Sequence, residues 1–119
     1  MTIYGVDISN VNDGSTNRMN LAEIVAEGFA WIEAKVSQGS DFQDADWPRT
    51  RDFCQSNGIT LVGYHYLDQT NPVTQARNCL NWLGDTSIPL MLDVENGGGN
   101  YANLIAVLNA IESQGGHVA

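Results

Sequence analysis

Leu92-Asp93-Val94-Glu95 is the stretch best equipped for chemistry: two carboxylic acids, one apolar residue apart, at the end of the apolar run Leu90-Met91-Leu92. On a strand, side chains alternate, which turns Asp93 and Glu95 to one side and Leu92 and Val94 to the other. Like charges held that close raise one another's pKa, the condition in which one carboxyl stays protonated beside an anionic neighbour. The glycine run at 97–99 fits a loop leaving the C-terminal end of that strand, where parallel α/β folds gather their catalytic groups. The plain alternative is an acidic strand end that caps the next helix, a task Asn96 or Asn100 serves equally well. A third carboxylate, Asp7, stands near the end of residues 3–9. These read as a first strand with Val6 and Ile8 on one side and Gly5, Asp7 and Ser9 on the other. Taken alone, Asp7 also suits a turn or a helix cap.

The segments between must position these acids. A polar loop at 10–17 is followed by residues 20–27, which place Leu21, Ile24 and Val25 at helical spacing. Residues 29–36 read as a second strand whose alternation puts Glu33 and Lys35 on one face, expected as a buried ion pair. Gln38 falls in the loop 37–40. A helix over 46–56 tolerates Pro48 in its first turn and stops near Asn57-Gly58. Residues 60–66 form a third strand, Pro72 opens a helix to residue 83, and the Asp93/Glu95 strand follows. A last helix over 102–112 is stopped by Gly115-Gly116, and 117–119 opens one more strand. Four strand–helix repeats mean an α/β fold with a parallel sheet and helices packed outside it. Asp7, Gln38, Tyr64, Tyr66, Asp93 and Glu95 then collect at one rim. Carboxylates and aromatic rings on a common rim suit a carbohydrate cleft, since acids do glycosidic chemistry and ring faces pack on sugars.

Composition narrows the partners. The 119 residues make one domain, and 14 acidic against 5 basic residues give a net charge of −9. That excludes a nucleic-acid surface and argues against an anionic membrane. No stretch is apolar for long enough to insert in a membrane, and the N-terminus lacks the basic and apolar regions of a secretion signal. The protein is therefore expected to be made in the cytoplasm and to work there or leave by another route. Cys54 and Cys79 fall in separate helices; two buried thiols are preferred over a bridge between those helices. His65 and His117 have no ligand cluster around them, so no metal or other cofactor is expected. The glycine run lacks the lysine of a phosphate-binding loop, which leaves an unrelated small-ligand α/β protein as a distant alternative.

Four stretches carry a resemblance in order and spacing: Gly5-Val6-Asp7-Ile8-Ser9, Ala34-Lys35-Val36-Ser37-Gln38-Gly39, Gly63-Tyr64-His65-Tyr66 and Leu92-Asp93-Val94-Glu95. The chain resembles the N-terminal part of the glycoside hydrolase family 25 lysozymes, the Chalaropsis-type muramidases common among phage endolysins. The resemblance implies an irregular α/β, TIM-like barrel that cleaves peptidoglycan between N-acetylmuramic acid and N-acetylglucosamine, acting on the cell wall after release. It implies Glu95 as general acid, Asp93 as its partner, Asp7 as a third carboxylate and Tyr64 as an aromatic at the sugar site; Tyr66, on the same rim, is expected to bind substrate beside it. Attack by an enzyme carboxylate or by the substrate's own acetamido oxygen both remain open. Many relatives carry Glu where this chain has Gln38, which is expected to make a polar contact only. A barrel of this type takes about 200 residues or more. Residues 1–119 are thus expected to be the N-terminal portion of a single catalytic domain, inactive alone and completed by a C-terminal segment or a second chain. The alternative is a non-catalytic glycan-binding relative, or an inactive fragment of the same fold.

Overall fold

The computed structural model describes residues 2–10, 19–96 and 100–119. Residues 11–17 of the expected first loop and the glycine run at 97–99 lie outside the described residues. The elements follow as β1 (Gly5–Ile8), α1 (Leu21–Ala26), β2 (Trp31–Gln38), β3 (Phe42–Gln43), α2 (Trp47–Asn57), β4 (Thr60–Tyr66), α3 (Pro72–Leu83), β5 (Leu90–Asp93) and α4 (Tyr101–Ser113). Strands β1, β2, β4 and β5 lie side by side in that order, each pair parallel. Every crossover advances one strand in the same direction, the winding of a barrel, where an open doubly wound sheet would reverse. After α4 the chain returns beside β5: Val118 bridges Leu90 in parallel, and the Leu90 N–H donates to the His117 carbonyl at 2.9 Å. The strand expected at 117–119 begins there.

Local chemistry explains the boundaries. Asn20, Asn71 and Asn100 cap α1, α3 and α4, each side-chain oxygen accepting from a backbone N–H three residues on. Pro48 and Pro72 sit in first turns, where a missing N–H costs nothing. The structure corrects the sequence reading at the end of β2. The expected loop there contains a turn at Gly39 (φ 57°), and Phe42–Gln43 folds back antiparallel as β3. A register shift between Lys35 and Ser37 also lets both Val36 and Ser37 face the helices, and brings Gln38 level with Tyr66.

One face of the sheet is buried. Ile32, Ala34, Val36, Leu61, Gly63, His65 and Leu90 pack beneath the helices with Trp47, Cys54, Ala76, Cys79, Leu83, Val107 and Ile111. Both cysteines are free, as preferred from the sequence, and burial pushes each thiol up to about 11. The layer is tight at Gly63, where an added Cβ would come within 2.6 Å of Val36 Cγ2 and 3.2 Å of both Leu90 and Trp47. Gly63→Ala should therefore cost about 1–3 kcal/mol by overpacking. The check is the denaturation midpoint, and an unchanged midpoint would contradict this packing.

A buried polar chain runs through the same layer. Gln75 Nε2 donates to the carbonyls of Asp68 and Thr70 at 3.1 and 2.9 Å, which turns its Oε1 toward His65 Nε2 at 3.0 Å. His65 Nε2 must then carry the proton, and Nδ1 accepts from the Ser37 hydroxyl at 2.8 Å. This chain ties the end of β4 to the turn that opens α3. Burial is the main cause that holds the His65 pKa below its ordinary value, and nearby Lys35 adds to it. A depressed histidine stays neutral in the fold while the unfolded chain takes up a proton near pH ~6.5. Stability from His65 is therefore full above that pH and is lost as pH falls toward the folded pKa. Melting temperature should fall between pH 7.5 and 5.5 more steeply in the wild type than in His65→Gln; parallel slopes would contradict the assignment.

Candidate active site

The open face of the sheet carries the other half of the alternation. Asp7 on β1 is in register with Glu33 on β2 and Val62 on β4; Lys35 is level with Tyr64 and Met91; Gln38 is level with Tyr66 and Asp93. Partners in register share a face, so one surface receives acids from three parallel strands. Asp7, Glu33, Tyr64, Met91, Leu92, Asp93 and Glu95 line a single cleft of about 220 Å³ there. The three acids singled out from the sequence thus meet at one cavity, with the Tyr64 ring in its wall. The capping alternatives fall to other residues: Asn20 caps α1 and Asn100 caps α4.

The route by which Glu95 reaches the cleft differs from the expected one. β5 ends at Asp93, whose partner Tyr66 is the last residue of β4, so Val94 and Glu95 lie beyond the paired strand and are exposed. Glu95 therefore enters from the segment after β5, and strand alternation does not place it. Gln38 and Tyr66 are not part of the cleft wall. They form a neighbouring cluster in which Lys35 Nζ donates to Gln38 Oε1 at 2.7 Å and lies over the rings of Phe42 and Tyr66, 5.0 and 5.3 Å from their centres.

That cluster corrects a further expectation. Lys35 does not pair with Glu33; it is held by Gln38 and two rings, while Glu33 turns into the cleft. Sequence reasoning missed Glu33 as a site residue, although its position in phase with Asp7 across β1 and β2 was a usable signal once the register is known.

The electrostatics follow from four carboxylates and, among the described residues, no basic residue in the wall. Burial raises the pKa of Asp7, and the Asp93 charge adds to it. Glu33 is raised by burial and then by both Asp7 and Asp93. Burial holds the Tyr64 phenol well above its usual range, with Asp7 and Asp93 acting the same way and a hydrogen bond with Ser9 opposing them. Such a cleft holds protons readily and repels anions, which suits acid catalysis on an uncharged polar ligand. Among the described residues no group of three or more His, Cys, Asp or Glu side chains has the arrangement of a metal site. No helix among them is long and apolar enough to cross a membrane.

A family model described as glycosyl hydrolases family 25 matches residues 6–117. No curated protein matches the chain. Among solved structures, a family 25 glycosyl hydrolase from Bacillus anthracis is similar at TM-score 0.79 and 17% identity, over 96% of this chain and 57% of its own. A family GH25 lysozyme from Aspergillus fumigatus gives 0.71 and 22%, over 94% of this chain and 60% of its own. The catalytic domain of an endolysin from bacteriophage P40 of Listeria monocytogenes gives 0.67 and 18%, over 96% and 59%. At these identities the likeness is one of fold. The chain spans between 40% and 60% of the length of the first structures it matches.

Proposed function

The chain belongs to glycosyl hydrolases family 25, and from that premise we propose that its cleft hydrolyses the glycosidic bond between N-acetylmuramic acid and N-acetylglucosamine in peptidoglycan. The observation that carries this reading is the convergence of Asp7, Asp93, Glu95 and Tyr64 on one cavity at the C-terminal ends of parallel strands. Glu95, at the exposed mouth, is the general acid: it gives its proton to the leaving sugar oxygen as the bond breaks. The sugar ring left behind gathers positive charge, and Asp93, with Asp7, faces that charge. Attack on the ring comes from an enzyme carboxylate or from the substrate's acetamido oxygen, and water then completes the hydrolysis. The Tyr64 ring offers a flat face to a sugar. Tyr66 and Gln38, next to the cleft, serve a neighbouring sugar unit.

Residues 1–119 are proposed as the N-terminal portion of one catalytic domain. Support comes from the 40% to 60% span of the matched structures and from the progressive winding of the sheet. Further strands, from a C-terminal segment or a second chain, would close the barrel over the open face. Action on the cell wall after release, as an endolysin acts, fits the similarity to the phage P40 enzyme. The same partial span favours a second reading, a module that binds glycan without turning it over. Two assays on the completed domain separate the readings: sedimentation with purified cell walls and loss of wall turbidity. Binding with clearing supports the hydrolase; binding without clearing supports the second reading; neither would overturn both.

A further inference from the structure

Glu33 has no task in the mechanism above, yet it lies in the same cleft. It is the register partner of Asp7 on the adjacent parallel strand, which brings the two backbones to about 4.8 Å. The cation nearest in sequence, Lys35, is bound to Gln38 and covered by Phe42 and Tyr66, so it does not neutralise Glu33. The groups that face Glu33 are therefore Asp7 from β1, Tyr64 from β4, Asp93 from β5 and Glu95 from the segment after it. Three of the four are further carboxylates and the fourth is a phenol.

Resting on the hydrolase reading, we propose that Glu33 is a positioning residue that carries the proton it shares with Asp7, and so holds Asp7 as an oriented anion. The proton belongs on Glu33 for two reasons. A glutamate is the weaker acid of the pair to begin with. Glu33 is also opposed by the charges of both Asp7 and Asp93, whereas Asp7 is opposed by Asp93. A protonated Glu33 has one O–H to donate, and the Asp7 carboxylate is the acceptor in register with it. Asp7 is then fixed in direction by a neutral donor, where a cation would oppose the sugar's developing charge. Gln38 stands outside the cleft wall and does not supply this donor.

The test is a carboxyl-carbon NMR titration of Asp7 in the wild type and in Glu33→Gln, with wall clearing measured beside it. In the wild type, Asp7 and Glu33 should titrate as a coupled pair, the Asp7 signal showing two steps. In Glu33→Gln, Asp7 should titrate in one step, because residue 33 no longer ionises and an amide N–H still donates to the Asp7 carboxylate. Glu33→Ala should lose clearing about tenfold by leaving Asp7 without its donor, and Glu33→Gln should recover most of that loss. An Asp7 curve that does not change with residue 33, or a Glu33 that ionises before Asp7, would overturn the proposal. The titration reads the pair whether or not the protein clears walls. Absent clearing with a coupled titration would count against the hydrolase reading, and clearing with an uncoupled one against Glu33 alone.

Discussion

In the domain completed by its remaining strands, Glu95→Gln should abolish wall clearing while the protein folds and binds glycan as before. Glutamine keeps the shape and the hydrogen-bonding of glutamic acid but has no proton to give to the departing sugar oxygen. General acid catalysis contributes about 10²–10⁴-fold, and the rate should fall by that factor. Glu95 lies beyond the end of β5, exposed at the mouth of the cleft, so its replacement removes no core contact. Stability should move by no more than about 0.5 kcal/mol. The measurement is the initial rate of turbidity loss together with a thermal melt. A rate within tenfold of wild type would remove Glu95 from the acid role, and a collapsed melt would make the loss uninformative.

Asp93→Asn should lower turnover by about 10²-fold, the effect of losing one electrostatic contact to the transition state. It should also move the pH profile, in a direction the cleft fixes. The Asp93 charge raises both Asp7 and Glu33 and helps to raise Tyr64. With asparagine at 93 that repulsion is gone, and Asp7 and Glu33 lose their protons at lower pH than before. The residual activity, where it depends on an ionised carboxylate, should therefore have its acidic limb shifted toward lower pH. The full pH–rate profile of both proteins checks this, and an unmoved limb would show that these carboxylates are not coupled through Asp93.

Much of this cleft was legible before any coordinates, and the reasons are local. β4 and α3 fall at 60–66 and 72–83 as expected from the sequence, because strand-favouring Thr60, Val62, Tyr64 and Tyr66 fill the first and Pro72 with Gly84 brackets the second. Alternation along β1 places Asp7, and the position of Tyr64 near the end of β4 places it at the same rim. What escaped was set by pairing between distant segments. β3 has two residues and no periodicity, and only its partner β2 makes it a strand. The register shift near Ser37 depends on packing against His65 and cannot be seen in β2 alone. Glu33 and Lys35 are two apart on one face, which looks like an ion pair until Gln38 and the Phe42 and Tyr66 rings are known to hold the lysine. β5 was read as running on to Glu95, but β4 ends at Tyr66 and leaves residues after Asp93 without a strand to pair with.

The central claim is that this cleft cuts peptidoglycan on the muramic acid side, and the new chain ends report it most directly. Purified cell walls would be digested with the protein, reduced with borohydride, and hydrolysed to free amino sugars. The account predicts that N-acetylmuramic acid is the sugar at the new reducing ends, so muramitol accumulates with wild type and not with Glu95→Gln. Glucosaminitol in its place, or no new reducing ends from walls that the protein binds, would contradict it.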